Sequence, residues 1–316
     1  MTKTRVLVTG AVGYIGQAVS QRLQIGGYAV SGLSRSRAGL RALDARGITP
    51  VQGDLDDAPL LERLAGEFDV IVDTATADHA ESTAAFLRGL DGSGKTYVRT
   101  SGTGVYTDLA HGAASDAVFT EETPHIPAEV VATRYASDAA VQAAAERNIR
   151  TVVIRPSMIY GDGASEQLPL LIRRAIISNR SVYVGDGLNR WSNVYLPDLA
   201  EVYALALEKA PAGSVYNIGS GEAAMADIAG AVATLIGLGA AESCSAQEAF
   251  DAFGQRWVEV ALSSNSRVDS TKAREELGWN PLGPSLLEDL TYGSYKRVWS
   301  FKGDPHDHAP AAGAGH

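Results

Sequence analysis

Three glycines near the start of the chain, Gly10, Gly13 and Gly16, follow the spacing G-x-x-G-x-x-G. A short apolar run, Val6 to Val8, precedes them, and helix-forming residues follow from Tyr14. A strand, a glycine turn and a helix N-terminus together bind a pyrophosphate, because the helix offers unpaired N–H groups and glycine lets the backbone approach the phosphates. An ordinary tight strand-to-helix turn is the alternative, but the strand before and the helix after favour a nucleotide.

The end of the second predicted strand indicates which nucleotide binds. An acidic residue there favours the free ribose hydroxyls of NAD, whereas a basic residue favours the 2′-phosphate of NADP. This chain has Ser34 and Arg35 at that point, with Arg37 nearby. Because a guanidinium group matches phosphate in geometry and in charge, the sequence predicts NADP(H). A solvated surface arginine is the alternative for Arg35.

Asp54 and Leu55 follow the third predicted strand, where we expect the adenine edge of the nucleotide. Asp54 has a second interpretation as the N-cap of the next helix, and the two roles are compatible.

Charge and cysteine content exclude several classes of protein. The 316 residues carry a formal net charge of -10, which argues against nucleic acid as the main partner. No apolar run approaches the ~18 residues of a membrane span, and the chain enters a strand almost at once, so we expect neither a membrane segment nor a signal peptide. The single Cys244 cannot form an internal disulfide, and the six histidines show no metal-ligand spacing near the core motifs. The expectation is a cytoplasmic protein without a metal site.

Apolar strand-like runs alternate with helical segments through the first half of the chain. The predicted strands after the first are Ala29 to Leu33, Thr49 to Gln52, Val70 to Asp73, Thr96 to Ser101 and Thr151 to Arg155. This alternation predicts an α/β fold with a doubly wound, Rossmann-like parallel sheet. An alanine-rich helix is predicted over Val130 to Arg147, and residues 106–127 before it are predicted to form a long loop over an active-site mouth.

The rhythm of the sequence changes after residue 160. We expect residues 1–160 to form a dinucleotide-binding domain and residues 161–302 a smaller, interleaved substrate-binding lobe, part of which returns to the first domain. One more strand is predicted at Ser214 to Ile218 and a last helix at Leu286 to about Trp299. The Gly/Ala/Pro/His-rich tail over residues 303–316 is expected to be flexible.

Five motifs follow one another over about 190 residues of the chain. They are Thr9-Gly10-x-x-Gly13-x-x-Gly16, Gly53-Asp54-Leu55, Thr100-Ser101 through Val105-Tyr106, Arg155-Pro156-x-x-x-Tyr160-Gly161, and Gly185-Asp186-Gly187-x-Asn189-x-Trp191 through Val194 and Asp198. In this order they resemble the short-chain dehydrogenase/reductase superfamily, in its extended or atypical, NAD(P)-dependent epimerase/dehydratase-like branch. The resemblance implies NAD(P) binding, nicotinamide beside the Arg155-Pro156 strand end, and a substrate pocket in the C-terminal lobe.

The residue patterns and the resemblance together give one set of expected cofactor-binding residues. These are Gly10, Val12, Gly13, Tyr14, Ile15, Gly16, Ser34, Arg35, Asp54, Leu55, Thr74, Ala75, Thr100, Ser101 and Pro156.

The catalytic positions of the resembled family are altered in this chain. The family carries Y-x-x-x-K on the long helix, where the tyrosine transfers a proton and the lysine lowers its pKa and holds the nicotinamide ribose. Here Tyr135 is followed four residues later by Ala139. Matching Ser137-Asp138 to the family's usual Ser-Lys instead places Arg134 at the tyrosine position and Asp138 at the lysine position.

Four residues remain candidates for the proton chemistry: Arg134, Tyr135, Thr103 and Tyr106. Arg134 can stabilise an oxyanion electrostatically without giving up a proton. Tyr135 points about 100° away from it on a helix, so the two cannot share a face. Thr103 stands beside Gly102, which occupies the family's serine position, and Tyr106 follows near the strand end. An i,i+4 ion pair with Asp138 on an exposed helix face is the alternative for Arg134.

We therefore expect an NADP(H)-dependent oxidoreductase that acts on a small, apolar carbonyl, enone or imine with a non-standard proton donor. Two alternatives stay open because the tyrosine–lysine pair is missing. One is a non-redox isomerase, epimerase or lyase on the same fold, and the other is a regulatory sensor that binds NADP without catalysis. A homodimer is implied by the resemblance only.

Overall fold

The computed structural model describes residues 3–299, apart from the side chain of Arg256. The predicted flexible tail over residues 303–316 lies outside the described residues.

Strands and helices alternate regularly as far as β7 and less regularly afterwards. The first half contains β1 (Arg5–Thr9), α1 (Tyr14–Ile25), β2 (Ala29–Ser34), α2 (Arg37–Asp44), β3 (Thr49–Gln52), α3 (Ala58–Glu67), β4 (Val70–Asp73), α4 (Ala80–Gly89), β5 (Thr96–Thr100), β6 (Asp108–Leu109), α5 (Ala132–Ala143) and β7 (Arg150–Pro156). The second half contains β8 (Met158–Tyr160), α6 (Gln167–Ser178), β9 (Ser181–Val184), β10 (Arg190–Tyr195), α7 (Leu196–Lys209), β11 (Ser214–Ile218), β12 (Gly221–Ala224), α8 (Met225–Leu235), β13 (Ala241–Cys244), α9 (Ala246–Phe253), α10 (Gln255–Trp257), β14 (Ser264–Asn265), α11 (Thr271–Leu277), α12 (Leu286–Tyr292) and α13 (Ser294–Trp299). Short 3₁₀ turns occur at Thr103–Tyr106, Glu129–Val131 and Ala144–Arg147, and a π-helical turn at Val258–Leu262.

Seven parallel strands form the central sheet, in the order β11-β7-β5-β4-β1-β2-β3. The chain moves outward from β1 to β3 and then returns to the other side of β1 with β4. In sheets of this kind, ligands bind in the crevice at the carboxyl ends of the strands where the order reverses. The predicted doubly wound, Rossmann-like sheet is confirmed, and its reversal lies between β1 and β4.

Alternate side chains of the central strands enter two separate cores. On β1, Val6 and Val8 pack on the face that α1 and α7 cover, and Leu7 packs on the opposite face with α3 and α4. All three side chains are fully buried. Because both faces are covered at the centre of the sheet, β1 and β4 contain continuous apolar runs, and this explains why those runs located them in the sequence.

The second half of the chain adds a three-stranded sheet, in which β10 lies between β8 and β12. The predicted last helix over Leu286 to Trp299 is instead two helices, α12 and α13. The break falls at Gly293, where an added Cβ would lie 2.1 Å from Oδ1 of Asp289. That carboxylate accepts the backbone N–H of Ser294 at 2.6 Å, so it caps the second helix.

The long segment before α5 is fastened to the C-terminal third of the chain. β6 pairs with β14, and the Phe119 N–H donates to the carbonyl oxygen of Arg267 at 2.8 Å. The Glu121 carboxylate accepts the N–H of Asn217, on the edge strand β11, at 2.6 Å. Burial raises the pKa of Glu121. The segment is therefore held down at three places.

Across residues 3–299, no helix has the length and apolar character that a membrane span requires. In the same part of the chain, no group of three or more His, Cys, Asp or Glu side chains is placed to hold a metal ion.

Candidate cofactor site and its charged floor

The glycine turn closes tightly under the N-terminus of α1. Gly10 has φ +63°, and a Cβ there would lie 2.7 Å from the Cα of Ala75. A Cβ on Gly16 would lie 2.2 Å from the carbonyl oxygen of Gly10. Gly13 is the N-cap, so no side chain caps the helix, and its first turn has no acidic residue. The helix N–H groups and dipole are left to a ligand anion, and the turn fits a pyrophosphate.

A buried aspartate on β4 holds this turn in place. Asp73 accepts hydrogen bonds from Thr9 Oγ1 at 2.5 Å and from Tyr97 Oη at 2.9 Å. Thr74 Oγ1 in turn donates to the carbonyl oxygen of Thr9 at 2.6 Å. The ends of β1 and β4 are thereby joined, so Thr74 and Ala75 lie directly against the glycine turn.

Ser34 and Arg35 end β2 beside the end of β3. The Arg35 side chain is 66% exposed, and its Nη1 lies 3.8 Å from Oδ2 of Asp54. This loose pair leaves the guanidinium accessible to a phosphate. Asp54 is not the N-cap of α3: Asp57 is, and its carboxylate accepts the N–H of Leu60 at 3.1 Å. The N-cap alternative for Asp54 is therefore wrong.

The remaining residues predicted for this half of the cofactor site surround α1 and β3. Val12 is exposed in the glycine turn, and Ile15 and Leu55 are half-buried. The Tyr14 hydroxyl donates to the carbonyl oxygen of Gly161 at 2.9 Å, which ties the start of α1 to the segment after β8. Burial raises the pKa of Tyr14 far above its usual value.

Thr100, Ser101 and Pro156 are buried at the carboxyl ends of β5 and β7. The Thr100 hydroxyl hydrogen-bonds to that of Tyr203 at 2.7 Å, and Ser101 Oγ donates to Oδ2 of Asp138 at 2.8 Å. Both hydroxyls are therefore committed within the protein, and these residues form the floor of the second half of the site.

Beneath that floor, Asp138 of α5 lies between two buried arginines. Arg99 Nε donates to Oδ1 at 3.0 Å, and Arg155 Nε donates to Oδ2 at 2.9 Å. Arg99 and Asp138 are fully buried, and Arg155 is 3% exposed. Arg99 also donates to Thr83 on α4 at 2.9 Å and to the carbonyl oxygen of Ala77 at 2.6 Å. We call Arg99, Asp138 and Arg155 the buried triad; it joins α5 to two central strands.

Arg134 pairs with Asp78, in the loop after β4, and not with Asp138. Its Nε and Nη2 donate to the two oxygens of Asp78 at 3.0 and 2.8 Å. The i,i+4 alternative is wrong because Asp138 is turned into the protein by the triad. The third nitrogen of Arg134, Nη1, lies 3.3 Å from the position of a Cβ on Gly102 and 3.8 Å from one on Gly104. The structure thus brings Arg134 beside Gly102 and Gly104.

The three hydroxyl candidates differ in exposure. Tyr106 is 1% exposed, and its hydroxyl accepts from Nη1 of Arg155 at 2.5 Å. Burial raises the pKa of Tyr106, although Arg155 opposes this. Thr103 is also 1% exposed, and within residues 3–299 its hydroxyl has no hydrogen-bond partner. Tyr135 is half-buried, with its ring 4.7 Å from that of His125 and 5.7 Å from the Arg155 guanidinium.

Arg99, Asp78 and His125 belong to this region and were missed in the sequence. Arg99 was recognisable in the sequence, because it is a charged residue inside a predicted strand. Asp78 was not, since its partner lies 56 residues away. The ring of His125 lies 4.5 Å from that of Tyr106, and its Nε2 is buried without a partner in the described part of the chain.

The chain is similar to several known proteins in sequence and in fold. The sequence model of the NAD dependent epimerase/dehydratase family matches residues 6–219. The chain is 30% identical to the oxidase ucsJ of Acremonium sp, over 92% of this chain and 96% of that protein. It is also 30% identical to a 2-alkyl-3-oxoalkanoate reductase of Stenotrophomonas maltophilia, over 69% and 71%. A dTDP-glucose 4,6-dehydratase from Bacillus anthracis, solved in complex with NAD, superimposes with a TM-score of 0.74 at 22% identity, over 93% of this chain and 96% of that one.

Gly16→Ala is expected to weaken NADPH binding by about tenfold or more, because the added methyl group overlaps the Gly10 carbonyl and the turn must open. Calorimetric titration with NADPH measures this. Gly66→Ala in α3 is the matched control, since a Cβ there meets nothing within 4 Å and favours the helix. Unchanged NADPH affinity in Gly16→Ala would contradict the assignment of the turn.

Proposed function

This chain belongs to the NAD dependent epimerase/dehydratase family, and from that premise we propose that it is an NADP(H)-dependent oxidoreductase that reduces a small carbonyl, enone or imine. The observation that carries the proposal is the uncapped start of α1 above a glycine turn that no Cβ can enter, at the sheet reversal where such folds bind nucleotides. The names of two relatives, an oxidase and a reductase, support redox chemistry.

The choice of NADP(H) over NAD(H) rests on the end of β2. Arg35 is exposed there and held only by a 3.8 Å ion pair with Asp54. A 2′-phosphate offers the guanidinium a stronger and better-matched partner than this exposed carboxylate does. Ser34, next to it, adds a hydroxyl donor.

When bound, the reduced coenzyme supplies a hydride, and the protein has to stabilise the negative charge that then develops on the substrate oxygen. Nη1 of Arg134 is the group we assign to this task. Asp78 holds the other two guanidinium nitrogens, and Gly102 and Gly104 place no side chain against Nη1. A fixed cation facing a small space in a partly buried site stabilises an oxyanion without reorganising.

For the proton we favour Tyr135. Its ring is half-buried, whereas Tyr106 and Thr103 are each 1% exposed. Arg134 and Tyr135 are consecutive residues of a helix, so their side chains point in different directions. Arg134 contacts Asp78 in the loop after β4, whereas the Tyr135 ring lies beside Arg155 and His125. Tyr106, fixed by Arg155, and Thr103, whose hydroxyl lacks a partner in the described chain, remain the alternatives.

Two other functions keep specific support. A non-redox isomerase, epimerase or lyase is supported by the family's own description. A nucleotide-binding sensor without catalysis is supported by the absence of the family's tyrosine–lysine pair, and by the Arg134–Asp78 pair that already occupies two of the three guanidinium nitrogens. Turnover of any carbonyl or imine by the purified protein separates the first proposal from the sensor.

We also propose that the lobe over residues 161–302 holds the substrate, which we take to be a small molecule, with residues 1–160 binding the coenzyme. We base the proposed cytoplasmic location on the single cysteine of the sequence. We base the proposed homodimer on the resemblance to the short-chain dehydrogenase/reductase superfamily.

Arg35→Ala is expected to weaken NADPH binding by about tenfold to a hundredfold and NADH binding hardly at all, because only NADPH carries the extra phosphate. Fluorescence titration with each reduced nucleotide measures the difference. Arg41→Ala, at an exposed position of the neighbouring helix α2, is the control and should change neither affinity. Equal losses for both nucleotides in Arg35→Ala would remove the NADP assignment.

Arg134→Met is expected to lower kcat/KM about a hundredfold, with NADPH affinity retained, because the oxyanion loses its cation. Tyr135→Phe should lower kcat, because the proton source is removed. NADPH absorbance with a panel of carbonyl and imine compounds provides the assay. Arg147→Met, near the other end of the same helical segment and paired with Asp91 at 3.4 Å, is the matched control. Full activity in both variants would discard these two assignments.

A further inference from the structure

We propose that the second half of the chain contains a separate binding site, a cavity that takes one small, neutral, apolar molecule about the size of benzene. We call it the lobe cavity; it lies between α6, α8 and α9, against β9 and β13. None of the residues predicted to bind the coenzyme or to carry the proton chemistry lines it. The inference therefore goes beyond the proposed function and does not depend on where a coenzyme binds.

The size of the lobe cavity sets the size of its ligand. Its volume is about 130 Å³, and an apolar protein cavity of about 150 Å³ holds one benzene molecule. The deepest wall residues are each exposed by 6% or less, and they are Ala175, Met225, Ala229, Cys244 and Leu262. The mouth lies at the C-terminal end of α6, where the lining residues Ile177 and Ser178 are exposed. A small molecule can therefore enter from solvent and lie against a largely apolar wall.

The polar atoms of the lining are already bonded within the protein. Ser181 Oγ donates to the carbonyl oxygen of Ala229 at 2.7 Å, and Ser178 Oγ donates to that of Arg174 at 2.8 Å. In the part of the chain that the structure describes, none of the buried side-chain N or O atoms without a hydrogen-bond partner belongs to the lining. An ordered water needs several polar partners, so the lobe cavity favours an apolar molecule over water.

The charges around the mouth balance one another. Arg180 pairs with Glu242 at 3.2 Å, and Glu248 is held in the capping box at the start of α9. The Arg174 guanidinium packs over the Phe253 ring, 5.9 Å from its centroid. Two guanidinium groups and two carboxylates therefore surround the opening, and their sum favours neither sign. A charged ligand would lose its hydration in the apolar interior without a compensating partner there, so we assign a neutral ligand.

The walls are fixed by bonds that do not involve a ligand. β9 pairs with β13 in register from Ser181↔Ala241 to Cys244↔Val184. Asn189 Nδ2 donates to the carbonyl oxygen of Leu262 at 3.0 Å, and this residue ends the π-helical turn. Because these bonds hold the backbone, a side-chain rearrangement cannot close the space. An unfilled cavity costs stability in proportion to its volume, and a molecule that fills it recovers part of that cost.

Calorimetric titration of the full chain with benzene tests the site. The parent protein should bind one benzene molecule. Ala229→Leu, which extends the α8 wall into the space, should weaken this binding by about tenfold or more. Ala175→Leu fills the same space from α6, and it keeps the test decisive if Ala229→Leu does not fold. Gly230→Ala is the matched control: it adds a methyl group to α8 where a Cβ meets nothing within 4 Å, and it should bind benzene like the parent.

Benzoate and benzylamine, which carry the same ring with a negative or a positive group, test the charge of the ligand. Each should bind at least about tenfold more weakly than benzene, because the apolar interior does not compensate a charge. Tighter binding of benzoate than of benzene would overturn the neutral assignment and indicate that Arg174 recognises an anion. Absence of benzene binding by the parent, or parental affinity in both filled variants, would remove the site. None of these results depends on whether NADPH binds, so the proposed function succeeds or fails separately.

Discussion

One carboxylate with a guanidinium on each side, Asp138 between Arg99 and Arg155, is the constraint on which the site depends. Charges removed from water must be paired, and removing one partner of such a group leaves the others buried without compensation. This requirement fixes α5 against β5 and β7. Through the further hydrogen bonds of Arg99 to Thr83 and to Ala77, it also fixes α4 and the loop after β4.

Helix α5 carries two charged side chains, one turn apart, that bind different partners. Asp138 faces inward and anchors the helix, while Arg134, one turn earlier, reaches the opening and pairs with Asp78. The loop that supplies Asp78 also supplies Thr74 and Ala75 to the glycine turn. The two halves of the candidate site are therefore coupled through a single short loop, which contacts the glycine turn, Arg134 and Arg99.

The strands and the glycine turn could be predicted because they depend on local sequence pattern. The apolar run of β4 located that strand with its observed bounds, because a strand covered on both faces is apolar along most of its length. The edge strand β3 also has its predicted bounds, although most of its residues are exposed. The glycine spacing predicted a turn that the structure shows closed against Ala75.

Ion pairs and contacts between residues far apart in the sequence could not be predicted from local pattern. The i,i+4 rule offered Asp138 as the partner of Arg134, but the protein satisfies Asp138 with arginines 39 and 17 residues away. Gly293 likewise divides the last helix because Asp289 occupies the space beside it. The roles of the predicted cofactor and catalytic residues remain predictions.

The position of β11 has a consequence for how the molecule is made. It completes the outer edge of the central sheet beside β7, yet residues 157–213 separate the two strands in the chain. On the ribosome, β7 emerges long before its neighbour, with one row of backbone N–H and C=O groups open to pairing by another nascent chain. The sheet reaches its full width only after Ser214–Ile218 has been synthesised.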